Sequence, residues 1–229
     1  SAGWRKLTYS VYPLDNAFGI GGDKTNVWNL YGHVQENPYL SSQVIDKTGF
    51  TYTEGNNGYG VIISKGTIEM DNNGTPVTLE ITNTYNMPQP NSYVEIKSKV
   101  KNTSGVPVEN VRIWVGTRDD FVGGSDRPTK KKGNLVDGAF QKIANAADRS
   151  SALLISTSQE AILFYTTSSR GNTLINSCCS WSNIIEQNPE TSTTEVTNDG
   201  SYGFYVRFND LQPGESDEFV WYYAAGPIS

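Results

Sequence analysis

The stretch Val94-Glu95-Ile96-Lys97-Ser98-Lys99-Val100 alternates side chains without a break, and this constrains the fold more than anything else in the chain. A period of two puts Glu95, Lys97 and Lys99 in water and the intervening residues in a core, which is the pattern of a half-buried strand. Val77-Thr78-Leu79-Glu80-Ile81 and Val111-Arg112-Ile113-Trp114-Val115 repeat it. Between the 94–100 and 111–115 runs lies the turn cluster Asn102-Thr103-Ser104-Gly105, so the reading is an antiparallel hairpin. Further strands are expected at Lys6–Tyr12, Gly58–Ser64, Thr67–Asp71, Ala152–Thr157, Ala161–Thr167, Tyr202–Phe208 and Glu218–Ala224. The last two flank Asn209-Asp210-Leu211-Gln212-Pro213-Gly214-Glu215-Ser216, a Pro-Gly turn. Only Phe140–Asp148 has helical spacing, through Phe140, Ile143 and Ala147.

Many short strands at about ten-residue spacing predict an all-β chain, a large antiparallel β-sandwich with an elaborated loop face. No linker-like stretch divides residues 1–229, which read as a single domain and as one module of a larger secreted or surface protein. The first sixty residues are the least regular and are expected to cover one sheet or one end. Charged residues make up 18% of the 229, too few for a coiled coil or a charged disordered tail. No apolar run approaches the roughly 18 residues of a membrane span, so no membrane insertion is expected. The net charge of −6 argues against a nucleic-acid partner, because phosphate contacts need a basic face.

The chain starts Ser1-Ala2-Gly3-Trp4 without an apolar leader and reads as a mature product or a domain cut from a precursor. Its richness in Thr, Asn, Tyr and Gly is the composition of secreted β proteins, and the expected location is extracellular or the cell surface. The two cysteines, Cys178 and Cys179, are adjacent and cannot staple distant segments. They are either two small packed thiols or a vicinal disulfide shaping a ligand-facing loop; metal ligation by the pair would lack further soft ligands. Asn73-Gly74-Thr75 and Asn102-Thr103-Ser104 match the N-glycosylation pattern.

Asn102-Thr103-Ser104-Gly105 is followed by Val108-x-x-Val111, and Leu211-x-Pro213-Gly214-Glu215-Ser216 precedes Phe219-x-Trp221-Tyr222. Together these resemble the turn motifs of extracellular β-sandwich modules from bacterial surface proteins and adhesins. The resemblance covers about a quarter of the chain. It implies an antiparallel sandwich in a surface setting and brings no catalytic residue with it.

The segment from Gly116 to Asn134 follows a good strand and runs about twenty residues before the next periodic stretch. Loops of this length in compact domains are usually functional or disordered. Asp119, Asp120 and Asp126 could supply oxygens to calcium, a hard ion that takes roughly six to eight such ligands. Arg118 and Arg127 are candidates to touch a ligand, and Lys130–Lys132 reads as a solvated loop tip. His33 is the only histidine, which rules out a multi-histidine zinc site and leaves this residue a structural or rim role. No nucleophile elbow is present, and Gly19-x-Gly21-Gly22 lacks the phosphate-loop spacing. A glycosidase would need two carboxylates about 5–9 Å apart; Asp119, Asp120, Glu80, Glu95 and Glu218 are available, none in a recognised setting.

Five Trp and 13 Tyr exceed what a core of this size needs. Their flat faces and polar handles suit stacking on sugar rings or gripping a peptide. Candidates outside the core are Trp28, Tyr31 and Tyr59, with Tyr39 and Tyr52, and Trp181 beside the cysteines; Trp4, Trp114, Trp221 and Tyr223 read as core. The functional expectation is an adhesion module that binds a glycan or peptide, with calcium as its one cofactor. The alternatives are a glycoside hydrolase or polysaccharide lyase on a β scaffold, and a structural spacer.

Overall fold

Alternation in sequence becomes alternation in burial. Along β5 (Thr75–Met87) the side chains of Val77, Leu79, Ile81 and Asn83 are buried, and along β6 (Tyr93–Asn102) those of Ile96, Ser98, Val100 and Asn102. The computed structural model describes residues 14–20, 27–30, 40–51, 59–72, 74–87, 93–179 and 193–227. Among these residues there is no helix, and every strand pairing is antiparallel.

Two sheets face each other. The five-stranded sheet has the order β12 (Asn172–Ser177), β14 (Gly200–Arg207), β7 (Arg112–Thr117), β1 (Leu14–Gly19) and β2 (Val27–Leu30). The ten-stranded sheet runs β13 (Glu195–Thr197), β8 (Thr129–Val136), β10 (Ala152–Ser156), β11 (Glu160–Tyr165), β15 (Ser216–Pro227), β6, β5, β4 (Tyr59–Asn72) and β3 (Leu40–Thr51). Its tenth strand, β9 (Ala139–Lys142), pairs with the far half of β8.

The core between the sheets is centred on Phe164 of β11. Its ring stacks on Phe204 of β14 with centroids 4.5 Å apart, and Tyr202, Trp221 and Tyr223 close around it. Tyr202 and Tyr223 hydrogen-bond hydroxyl to hydroxyl at 3.1 Å across the gap between the sheets. Trp221 Nε1 donates to Ser98 Oγ at 3.1 Å, which donates to Asn83 Oδ1 at 2.7 Å. Buried polar groups on three neighbouring strands thus satisfy one another, as burial requires.

The expected hairpin between the 94–100 and 111–115 runs does not form. β6 lies in the ten-stranded sheet, and β7 lies in the other. The turn after Asn102 opens a crossover, and the Pro-Gly segment between β14 and β15 makes a second crossover beside it. Val108 and Leu211 bridge the two connections, Asn102 N donates to Glu215 O, and Gly214 N donates to Asn102 O. The residues that carried the adhesin-like resemblance therefore form one inter-sheet corner. Asn102 is fully buried, with Nδ2 donating to Val106 O and Leu211 O, so it is not a glycan acceptor.

Three other expectations are corrected. The runs expected at Gly58–Ser64 and Thr67–Asp71 are joined, from Tyr59 onward, in one strand, β4. The helical turn at Phe140–Asp148 is absent: Asp137 (φ 51°) and Gly138 (φ 79°) form a two-residue turn that sends the chain back as β9. Two consecutive left-handed residues are the chemistry of a tight hairpin, and Asp-Gly is among its favoured pairs. Lys130–Lys132 is not a loop tip but the heart of β8, with Lys130 and Lys132 completely buried. The strand expected at Lys6–Tyr12 lies outside the described residues.

Candidate functional site

The site grows from one pairing. β7 and β14 run antiparallel with Thr117 opposite Tyr202. The residues just beyond the end of β7, Asp119 and Asp120, therefore meet those just before β14, Asn198 and Asp199. Asp120 N donates to Gly200 O at 2.9 Å. Thr117 Oγ1 donates to Asp119 O at 2.8 Å and holds the turn. The end of β12 joins them, with Cys178 N donating to Asp199 O at 3.2 Å. Carboxylate oxygens of Asp119, Asp120 and Asp199 all lie within 4.8 Å of one another.

Lys130 comes to this cluster from the opposite sheet. Because β8 alternates, Thr129 and Lys131 face outward while Lys130 and Lys132 point inward. Lys130 Nζ donates to Asp120 Oδ2 and, at 2.9 Å, to Asn198 O. Both partners of this ion pair are inaccessible to solvent. Burial pushes Asp120 up to about 6, against the pull of Lys130 and of the Gly200 N–H···O contact. Burial likewise lowers Lys130, with Asp120 resisting. Asp119 is raised by burial and then by the charges of Asp199 and Asp126. Four acceptor oxygens in the cluster, Asp119 Oδ1, Asp120 Oδ1, Asn198 Oδ1 and Asp199 Oδ1, are buried without a hydrogen-bond donor.

The outward side of the same strand borders an open cleft of about 540 Å³. Ser125 and Arg127 from the 118–128 loop, Lys131 of β8, Thr157 and Gln159 from the β10–β11 turn, and Glu195 of β13 line it. Glu195 sits opposite Lys131 in the ladder and accepts a hydrogen bond from Lys142. No aromatic ring lines the cleft among the described residues. A separate row of rings crosses the outer face of the ten-stranded sheet: Tyr165 and Tyr222 stack at 4.8 Å, Tyr93 meets Tyr222 edge-on at 6.2 Å, and Tyr222 Oη donates to Glu95 at 3.0 Å.

The structure brings Asp119 and Asp120 together but leaves Asp126 exposed and outside the three-carboxylate cluster. Asp199 takes that third place. Arg127 is exposed on the cleft, whereas Arg118 is buried. Trp28 is in β2 opposite Phe18, and Tyr59 opens β4 opposite Thr51; nothing is described of their side chains. Tyr31, Trp181, Tyr39, Tyr52, Trp4 and His33 lie outside the described residues. Cys178 and Cys179 form the vicinal disulfide, and their sulfurs lie within 4.8 Å of an Asp119 oxygen. Trp221 and Tyr223 belong to the core between the sheets, whereas Trp114 is buried out of phase with the core-facing Ile113 and Val115, with its ring 5.3 Å from that of Tyr205. Lys130 was read only as part of a solvated loop tip, and Asn198, Asp199, Gln159 and Glu195 went unread in the sequence. The one local signal was Asn198-Asp199-Gly200, a turn tripeptide leading into an aromatic strand.

No family model and no curated protein matches the sequence. Among solved structures the chain is similar to a galactose mutarotase-like protein from Clostridium acetobutylicum, with 10% sequence identity and a TM-score of 0.43. That match covers 95% of this chain and 80% of the other.

Proposed function

We propose that the chain is a glycan-binding module, working in adhesion at a cell surface or outside the cell, and that the cleft beside β8 is its binding site. The observation that carries this reading is the cleft's lining. Its volume of about 540 Å³ accommodates one or two sugar rings. Ser125, Thr157 and Gln159 offer hydroxyl and amide groups that exchange hydrogen bonds with sugar hydroxyls. Arg127 presents a planar fork suited to a carboxylate, so an acidic sugar is the preferred class. A peptide ligand is less well served, because the lining offers no apolar pocket for a side chain. Recognition then rests on polar contacts rather than on ring stacking.

The test is a glycan array followed by calorimetry on the hits, with Arg127→Ala and Gln159→Ala beside the parent chain. Acidic glycans should bind the parent chain, and each variant should weaken binding about tenfold or more, equivalent to about 1.4 kcal/mol. Unchanged affinity in both variants would remove the cleft from consideration.

A second reading, a carbohydrate-active enzyme, is prompted by the pairing of Asp119 with Asp120 and the raised value of Asp120, although oxygens of the two lie within 4.8 Å, closer than the roughly 5–9 Å a glycosidase uses. Against it, Asp120 has no exposed surface and is held by Lys130, so no sugar reaches it in this conformation. Turnover of polysaccharides that is lost in Asp120→Asn, with the fold retained, would make this the better account.

A further inference from the structure

We propose that Asp119, Asp120, Asp199 and Asn198 form a binding site for one hard divalent cation, calcium before magnesium. This site is distinct from the cleft and does not depend on the glycan reading.

The first argument is the state of the oxygens. Asp120 has no exposed surface and Asp119 is 8% exposed, yet each has an Oδ1 with no donor. A buried carboxylate oxygen without a partner is costly, and the great majority of buried polar atoms have one. Four such oxygens among the described residues belong to this cluster. Asp199 Oδ1 and Asn198 Oδ1 share the same condition, and Asn198 contributes a neutral amide oxygen rather than another charge. A Cβ on Gly200 would stand 2.6 Å from Asn176 O, 2.9 Å from Asn198 Oδ1 and 3.2 Å from Asp120 Oδ2, so any side chain there would press on the cluster.

The second argument is charge. Among the described residues Lys130 pairs with Asp120, while the carboxylates of Asp119 and Asp199 form no ion pair. Two such carboxylates suit a divalent ion.

The third argument is donor type. All four free ligand atoms are oxygens, which suits a hard cation. The nearby sulfurs of Cys178 and Cys179 are tied to each other, so the soft donors that select zinc are not on offer. Four protein oxygens with water completing the shell match calcium's preference for roughly six to eight ligands, and the two loops that supply them give the flexible cage calcium tolerates.

The ion would join the loop after β7 to the loop before β14, the same ends that pair through Asp120 and Gly200.

The experiment uses the whole chain, stripped with a chelator and titrated with terbium. Tyr202 lies near enough to Asp120 to interact with its charge and would sensitise terbium emission. We expect one saturable site, displaced by calcium at lower concentration than by magnesium, and a rise in Tm on adding calcium. Asp199→Asn and Asp119→Asn, checked for folding by circular dichroism in chelator, should each weaken calcium binding at least tenfold and abolish the Tm rise. Absence of saturable terbium emission and of a calcium-dependent Tm shift in the parent chain would overturn the proposal. So would equal calcium affinity in the parent and both folded variants.

Discussion

Lys130 of the ten-stranded sheet and Asp120 beyond the end of β7 in the five-stranded sheet form an ion pair with neither side chain open to solvent. The pair ties the two sheets together. Removing one member strands the other as an unpaired buried charge, which typically costs about 3–5 kcal/mol. Lys130→Met, measured by urea unfolding in chelator, should lose stability in that range. Lys130→Met combined with Asp120→Asn should lose less than the sum of the two single changes, because the stranded charge is gone. Additive losses would mean that the pair is not coupled in solution.

At the opposite corner Asp217 accepts from Arg170 Nη1 at 2.6 Å and Nη2 at 2.9 Å, and from the backbone N–H of Asn209 and Glu218. Burial alone would push this carboxyl up; the Arg170 contact and the two N–H donors outweigh it and hold Asp217 below its ordinary 3.8. The folded chain therefore binds this proton less readily than the unfolded chain. The stabilisation is complete above about 3.8 and is lost as pH falls through the lower, folded value. Asp217→Asn should cost about 1–3 kcal/mol at neutral pH. It should also flatten the acid limb of a stability–pH profile. A variant profile parallel to that of the parent at acid pH would show that Asp217 does not carry this dependence.

The strands of the ten-stranded sheet were legible where burial is one-sided. β5, β6 and β15 show their inward residues as a simple alternation. β8 was opaque for a physical reason. Thr129-Lys130-Lys131-Lys132 reads as solvated because lysine is rarely buried unless paired, and the partner of Lys130 comes from 10 residues upstream on the other sheet. The cluster was half legible in the same way. Asp119 and Asp120 stand out as neighbours, but Asp199 joins them only through the β7–β14 register, which no local pattern reveals. The turn at Asp137-Gly138 was legible in principle, since its chemistry names a hairpin, and the helical spacing of Phe140, Ile143 and Ala147 masked it.

That β7–β14 register depends on a glycine pair. Gly116 and Gly203 are directly opposed, and a Cβ on Gly203 would stand 2.5 Å from Val115 O. The obstacle is backbone, so it cannot swing away as a side chain could. Gly203→Ala should destabilise by about 1–3 kcal/mol, as overpacked substitutions do. Because the strain falls on the pairing that sets Asp199 beside Asp119, terbium affinity should fall in the same variant. Loss of stability with unchanged terbium binding would show that the cluster does not depend on this register.

The inter-sheet corner gives the last prediction. Asn102 is fully buried and serves both crossovers with one side chain. Its Nδ2 donates to Val106 O at 2.7 Å and to Leu211 O at 2.9 Å, and its Oδ1 accepts from Ser104 N at 2.9 Å and Ser104 Oγ at 2.6 Å. Asn102→Ala removes all four bonds, although Leu211 O still accepts from Val108 N and Val106 O from Ser104 Oγ. At about 0.5–1.5 kcal/mol per lost bond, a loss of about 2–4 kcal/mol is expected. Asn102→Asp should be no better, because a carboxylate keeps the contacts to Ser104 but turns an acceptor toward the Val106 and Leu211 carbonyls. Equal stability of the parent and Asn102→Asp in denaturant would mean that the corner is held by its backbone bonds alone, Val108 N to Leu211 O and Leu211 N to Val108 O at 2.9 and 2.8 Å.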